Sequence, residues 1–315
     1  MAKRSHNQTA DPRIRVDLVH LRQFERHARA ISFLPKQPAR SALNGRHASR
    51  LRGRGLNFEE LRNYQHGDDI RTIDWKVTAR TGEPYVRVYT EERDRPALLL
   101  VDQRMSMFFG TVHNMKSVTA AEAAALAAWR LRMQGDRVGG IVFGDTHVAE
   151  LPPRSGGLAL NRFLSVLADA NALLEPGLEV AKPHSLNQQL ETTVRIAKTG
   201  MMILIFSDFH GVDDASEKMI RRLALHNDVL VFPITDPTGR DLPDHFRLVA
   251  SDGRLQVDLD TAQDEVRMRL EDLFDRRIGR VLDWSRKYGV PVLPLTSAEE
   301  TLPQMLSLFG ARGRG

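Results

Sequence analysis

The chain has 315 residues, 42% of them hydrophobic and 27% charged, which suits a globular protein with one large domain and an attachment, or two modest domains. It contains no cysteine, so disulfides, thiolate metal sites and a cysteine nucleophile are all excluded. The net charge of +5 is unevenly spread: residues 1–55 carry 13 Lys and Arg against 3 Asp and Glu, so a basic stretch precedes a mildly acidic body. No stretch reaches the roughly 18 apolar residues of a membrane span, and the start lacks the apolar core of a secretory signal. A cytoplasmic protein is expected.

In chain order, residues 1–44 read as a basic, partly disordered arm. Within it Leu18, Leu21, Phe24 and Ala28 recur at helical spacing and predict a short amphipathic helix. Two prolines and several glycines then mark a linker. "PYVRVYTEE" alternates and predicts a strand using both faces, after the turn "TGEP". From residue 96 the pattern changes. "ALLLV", "RVGGIVF", "MMILIF" and "DVLVFPI" are continuous apolar runs, as parallel strands covered on both faces require.

Helical stretches lie between these runs: an Ala-rich one ending at Gly135, "LALNRFLSVLADANAL", "SLNQQLETTVRIAKTG" ending at Gly200, and "ASEKMIRRLALHN". A hairpin turning at Asp252-Gly253 follows. A long helix comes next, with Asp260 as its N-cap, Gln263 at N3 and the stripe Val266, Leu270, Leu273, Phe274, Ile278, Val281 and Leu282. "VPVLPL" predicts a last strand and "TLPQMLSLFG" a closing helix. The alternation implies an α/β fold with a doubly wound, mostly parallel sheet over 96–315, preceded by a small β-containing segment over 45–95.

In such sheets ligands gather beyond the carboxyl ends of the strands. Asp102 follows "ALLLV", Asp208 follows "MMILIFS" and Asp236 follows "DVLVFPIT". Ser106 lies four residues past Asp102, and Ser185 opens a later helix. Oxygen ligands of this kind suit Mg²⁺ or Mn²⁺. Each has a plainer reading: Asp102 caps a turn, and Ser185 with Gln188 forms a capping box. His113, His147, His184 and His210 are candidates to rim the strand ends as well, against the plainer reading that an exposed loop histidine is only solvated. Motifs for a nucleotide-phosphate loop, a zinc protease helix and a serine nucleophile elbow are missing from the sequence.

Asp102, Ser106 and Asp208 stand in positions that resemble the metal-ion-dependent adhesion site of von Willebrand factor A domains, with Ser185 near the position of its threonine. Arg104 departs from that pattern, in which a second hydroxyl is present. A guanidinium has five donors, no acceptor and a fixed positive charge, so it cannot ligate a cation. The expectation is a degenerate site in which Arg104 bonds both Asp102 and Asp208 and no metal is needed. If an ion is held, Asp102, Ser106 and Asp208 hold Mg²⁺.

Upstream, "GLNFEELRNYQHGDDIRTIDWKVTARTGEPYVRVYTEE" resembles the hallmark of the domain-of-unknown-function family 58. Phe58, Tyr64, Gly67, Asp68, Asp69, Arg71, Ile73, Asp74, Trp75, Ala79 and Arg80 match it. The resemblance covers roughly residues 45 to 310. Its acids and arginines read first as an ion-pair knot around an aromatic plug, with Gly67 permitting the turn. A carboxylate docking surface for a basic partner, and a nuclease-like acidic cluster, are the alternatives.

The resemblance implies a von Willebrand factor A-like body and a non-enzymatic adaptor. It would work with a MoxR-type AAA+ ATPase and A-domain proteins in chaperone-like maturation of other complexes. Many members of the family carry membrane helices, and this sequence shows none. The competing expectation is an RNA- or anion-binding protein that uses the basic arm.

Overall fold

The computed structural model describes residues 11–31, 56–65, 73–91, 95–175, 183–237, 247–251, 256–260 and 264–309. The chain divides into two units, Leu34–Asp94 and Met1–Phe33 together with Arg95–Gly315.

The N-terminal segment is built on the predicted stripe. α1 (Leu18–Gln23) is capped by Asp17, whose carboxylate accepts from the His20 amide at 2.7 Å. A 3-10 segment, Phe24–Ala30, extends it. Val16, Leu21, Phe24, Ala28 and Ile31 are buried in the core of the larger unit. Polar bonds hold the backbone down as well. Trp129 Nε1 donates to the Leu21 carbonyl at 3.2 Å, and the Val16 amide to Asn171 Oδ1 at 2.9 Å. The Arg15 guanidinium donates to the Ala172 and Leu174 carbonyls at 2.7 Å each. The reading of residues 1–44 as an arm is therefore corrected over 11–31, where the apolar stripe is part of the core and leaving it in water would be costly. Residues 1–10 and 32–44 lie outside the described residues.

In the smaller unit β1 (Leu56–Asn63) pairs antiparallel with β2 (Tyr85–Glu91), with a bulge between Phe58 and Glu60. Between them runs α2 (Trp75–Thr81), capped by Asp74 and closed by Gly82 at φ +78°.

The larger unit carries a six-stranded sheet. In chain order its elements are β3 (Pro96–Asp102), α3 (Lys116–Met133), β4 (Arg137–Phe143), β5 (Val148–Arg154), α4 (Gly157–Ala172), α5 (Leu186–Ile196), β6 (Met202–Ser207), α6 (Asp214–Ala224) and β7 (Asp228–Thr235). A hairpin of β8 (Arg247–Ser251) and β9 (Gln256–Asp260) follows, then α7 (Asp264–Tyr288), β10 (Leu295–Thr296) and α8 (Thr301–Phe309). The strand order is β10-β7-β6-β3-β4-β5, parallel except for β5. β5 was not anticipated from sequence. Its Pro152 and Pro153 lack amide donors, which an edge strand tolerates.

Side chains of β3 alternate between two cores. Ala97, Leu99 and Val101 pack among residues of α3, α4 and α8, whereas Leu98 and Leu100 pack among residues of α5, α6 and α7. Both faces of the sheet are thus covered, which is why its central strands read as unbroken apolar runs. α3 is buried almost all round because its alanines let it lie close to the sheet.

Three details differ from the sequence reading. α5 stops at Ile196, because Ala197 turns to an extended conformation, and Gly200 at φ +85° serves the turn into β6. In α7, Ile278 and Val281 are buried as expected, but Leu282 is exposed and Trp284 takes the inward place. Asp260 ends β9; residues 252–255 and 261–263, with the expected turn, Gln263 and the helix start that Asp260 was to cap, lie outside the described residues. Gly279 interrupts the interior of α7 at a cost of about 1 kcal/mol relative to alanine. Among the described residues no helix is long and apolar enough to cross a membrane.

Leu21 is fully buried. Leu21→Ala should lower the unfolding free energy by about 2–5 kcal/mol, as core truncations do. Urea unfolding would check this; a loss below about 0.5 kcal/mol, the range of surface substitutions, would return residues 11–31 to the status of a loose arm.

Candidate functional site

From β3 the chain runs first to β4 on one side and later to β6 on the other, so the order reverses between β3 and β6. Such a switch point opens a crevice beyond the carboxyl ends of the strands. Asp102, the last residue of β3, and Asp208, the first after β6, meet there, and both are buried. Two adjacent carboxylates without water need cations or donors.

Asp102 has four donors. Its Oδ1 accepts from the Arg104 amide and from Arg104 Nε, both at 3.0 Å, and its Oδ2 accepts from Arg104 Nη2 and Ser207 Oγ, both at 2.7 Å. The guanidinium grips the carboxylate at two points, the geometry in which arginine is strongest. It also donates to the His210 carbonyl at 3.2 Å and lies 5.4 Å from the Phe143 ring centroid. Burial works against its charge, but Asp102 outweighs this and its pKa rises.

Asp208 has a different cation. Lys116 Nζ donates to its Oδ2 at 2.7 Å, and the His210 amide and Ser106 Oγ donate to its Oδ1 at 2.9 and 3.3 Å. Burial alone would raise this carboxyl, but Lys116, with Arg277 and Arg104 behind it, holds it well below the usual carboxylate range. The expectation that Arg104 bonds both acids is therefore corrected. Of the two acids, only Asp102 bonds its side chain, because Lys116 has taken Asp208. Lys116 was missed in the sequence, although a lysine in the first turn of a helix opposes the helix dipole and so points to an acid outside the helix.

The backbone after Asp208 is strained. Phe209 is buried at φ +56°, a conformation that non-glycine residues seldom adopt and that is enriched at functional sites. Its ring packs edge-on to Trp284, at 5.6 Å between centroids, and its amide donates to Ser207 Oγ at 2.9 Å. The turn directs the His210 amide back onto Asp208.

Around this centre lie groups of lesser weight. Asp145, after β4, accepts from the Met105 amide at 2.6 Å, and burial raises its pKa. Burial lowers the pKa of His147 and of His210. The His184 amide donates to the Asp145 carbonyl at 3.0 Å, whereas His113 lines a separate cavity with His20 and Glu122. Asp236 ties down a loop: Thr111 N, Thr111 Oγ1 and Ser297 Oγ donate to it at 3.0, 2.7 and 2.5 Å.

Ser185 takes its plainer role. It is exposed and caps α5 in a reciprocal box with Gln188, with bonds of 3.2 and 3.0 Å. Of the hallmark residues, Gly67, Asp68, Asp69 and Arg71 lie outside the described residues. The Tyr64 amide donates to the Pro84 carbonyl at 2.8 Å, and Asp74 accepts from the Lys76 and Val77 amides at 3.0 and 3.3 Å. Trp75 is 68% exposed and Arg80 is exposed too, so no aromatic plug forms at Trp75. It opens α2, where Asp74 caps the helix and the indole is left in solvent.

A divalent ion does not fit this donor set. The oxygens of Asp102 and Asp208 that would ligate it already accept from Arg104, Ser207, Lys116, Ser106 and the His210 amide, and two fixed cations would repel it. Among the described residues no group of three or more His, Asp or Glu is arranged to hold a metal.

The model of a family described as "Protein of unknown function DUF58" matches residues 60–277. Uncharacterized proteins of Mycobacterium bovis (Mb1516) and Mycobacterium tuberculosis (Rv1480) are each 29% identical over 294 residues, covering 91% of this chain and 89% of theirs. Among solved structures, the conserved hypothetical protein BatB from Bacteroides thetaiotaomicron covers 68% of this chain and 98% of its own, at 14% identity and a TM-score of 0.43. An aerotolerance-related membrane protein from Bacteroides fragilis covers 68% and 96%, at 12% identity and a TM-score of 0.40.

Two predictions follow from the two ion pairs. Lys116→Met leaves Asp208 buried without its cation and should cost about 3–5 kcal/mol at pH 7. Because the folded carboxyl lies below its unfolded value of about 3.9, its stabilisation is present above that pH and is lost as pH falls through and below it. The gap between wild type and variant in urea unfolding should therefore narrow toward about pH 3, where a pH-independent gap would refute the pairing. Arg104→Ser removes a cation and adds a hydroxyl, so calorimetry should show Mg²⁺ binding in the variant and much weaker binding in wild type. Tighter binding by wild type, lost in Asp102→Ala, would reverse that assignment.

Proposed function

This chain is a member of the DUF58 family, and on that premise we propose that it is a non-enzymatic adaptor acting with a MoxR-type AAA+ ATPase in the maturation or assembly of other proteins. The observation that carries this reading is the paired-cation cleft. A general acid or base works best with a pKa near the working pH. Lys116 holds Asp208 far below that range, so this acid is not tuned for proton transfer, and the oxygens of Asp102 are taken up by four donors.

Recognition suits the cleft better. In A-domain-like sites a partner carboxylate completes the coordination of a bound ion. Here Arg104 and Lys116 stand at the same strand ends as fixed positive charges. Both are buried and paired with Asp102 and Asp208, so a partner carboxylate would meet the rim that Ser106 and the His210 turn form above them. Preorganised donors of this kind cost little to order on binding. A cytoplasmic location agrees with the cysteine-free composition.

Native co-purification with the tagged chain, read by mass spectrometry, should recover a MoxR-type AAA+ ATPase, and Arg104→Glu should lose it by about tenfold or more through charge reversal. Hydrolysis of nucleotide, phosphodiester or peptide by the chain alone, or salt-labile recovery of RNA in the ATPase's place, would overturn the adaptor reading.

A further inference from the structure

The pair α6 and α7 encloses a surface groove of about 890 Å³ that the proposed function does not use. Lys218 and Arg221 line it from α6, and Arg276, Arg280 and Lys287 line it from α7. The acids among them are engaged internally. Asp214 pairs with Arg280, and Asp283 accepts from Arg286 at 3.3 Å. Glu217 accepts from the Tyr288 hydroxyl at 2.6 Å and from Lys287 Nζ at 3.0 Å, with Arg280 at 3.5 Å. The groove thus already holds one carboxylate with three donors, and those donors keep its pKa low. Lys218 and Arg221, exposed and one turn apart, make no ion pair among the described residues.

A second observation is independent of charge. Gly279 lines the same groove in the interior of a 25-residue helix, where glycine is disfavoured. A Cβ added there would meet no heavy atom within 4 Å among the described residues, so internal packing gives no reason for the glycine. A bare helix backbone facing an open groove lets another chain approach closely.

We propose that the α6–α7 groove is a docking surface for an acidic polypeptide segment, whose carboxylates meet Lys218 and Arg221 while its backbone passes over Gly279. The surplus of cations over acids on its walls sets the sign of the partner. A phosphodiester chain fits less well. Its evenly spaced charges would run against Asp214, Glu217 and Asp283, and Tyr288 has its hydroxyl committed to Glu217 and offers no run of stacking rings. A peptide can place neutral residues opposite those acids. The assignment does not rest on the reading of the cleft.

The test is fluorescence anisotropy with the full chain, using labelled poly-glutamate and a labelled oligothymidylate of matched charge. Wild type should bind poly-glutamate more tightly than the oligonucleotide. The double change Lys218→Glu/Arg221→Glu should weaken that binding by roughly tenfold or more. Gly279→Leu, which adds bulk without charge, should weaken it comparably while its thermal midpoint stays level or rises, since leucine favours helix. Absent binding, binding unchanged in either variant, or preference for the oligonucleotide would overturn the proposal.

Discussion

Burying two carboxylates side by side is the constraint around which the larger unit is organised. A parallel sheet whose strand order reverses between β3 and β6 brings the ends of those strands together. Asp102 and Asp208 are then both buried at neighbouring strand ends, where each charge is expensive. The chain resolves this by giving each acid its own cation, Arg104 from the loop after β3 and Lys116 from the start of α3. The loop between them is constrained at both ends as a result. Ser207, Ser106 and the strained turn at Phe209 supply the remaining donors.

That solution has consequences for packing. Lys116 can reach Asp208 only because α3 lies close against the sheet, and α3 lies close because its inward residues are alanines. The outer side of α3 is in turn covered by the N-terminal segment, through Leu21, Phe24 and Ala28 and the bond from Trp129 to the Leu21 carbonyl. A chain of buried amides links the same segment to the site. Val16 donates to Asn171, Asn171 donates to Gln103 at 2.9 Å, and Gln103 donates to the Ser117 carbonyl at 3.0 Å. Gln103 is the residue between Asp102 and Arg104. The N-terminal segment is therefore joined to the cleft by a buried polar network, which fixes geometry more than it adds stability.

The cleft and the α6–α7 groove differ in how they manage charge. In the cleft the acids are buried and the cations neutralise them, leaving a rigid, balanced surface. In the groove the pairs are largely exposed, each contributes little to stability, and cations remain in surplus. The first arrangement favours a defined geometry, and the second favours attraction of an opposite charge. α7 serves both, since Trp284 supports the Phe209 turn on its inner side and Arg280 lines the groove on its outer side.

Local pattern in the sequence was enough to determine the class of fold, the succession of strands and helices, and the strand-end acids Asp102 and Asp208. Unbroken apolar runs, helical stripes and glycine stops depend on interactions within a few residues, so they can be read along the chain. The hallmark around Tyr64, Asp74 and Trp75 was readable in the same way as the mark of its family. What the acids pair with was not. Arg104 was recognisable because it is two residues from Asp102, but Lys116 lies 92 positions from Asp208 and reaches it only through the crossover of α3 over the sheet. The edge strand β5, the exposure of Trp75, the inward place of Trp284 and the burial of residues 11–31 were likewise decided by tertiary packing. Each depends on which distant surface a residue meets, and that is set by the order of the strands, which one-dimensional periodicity does not encode.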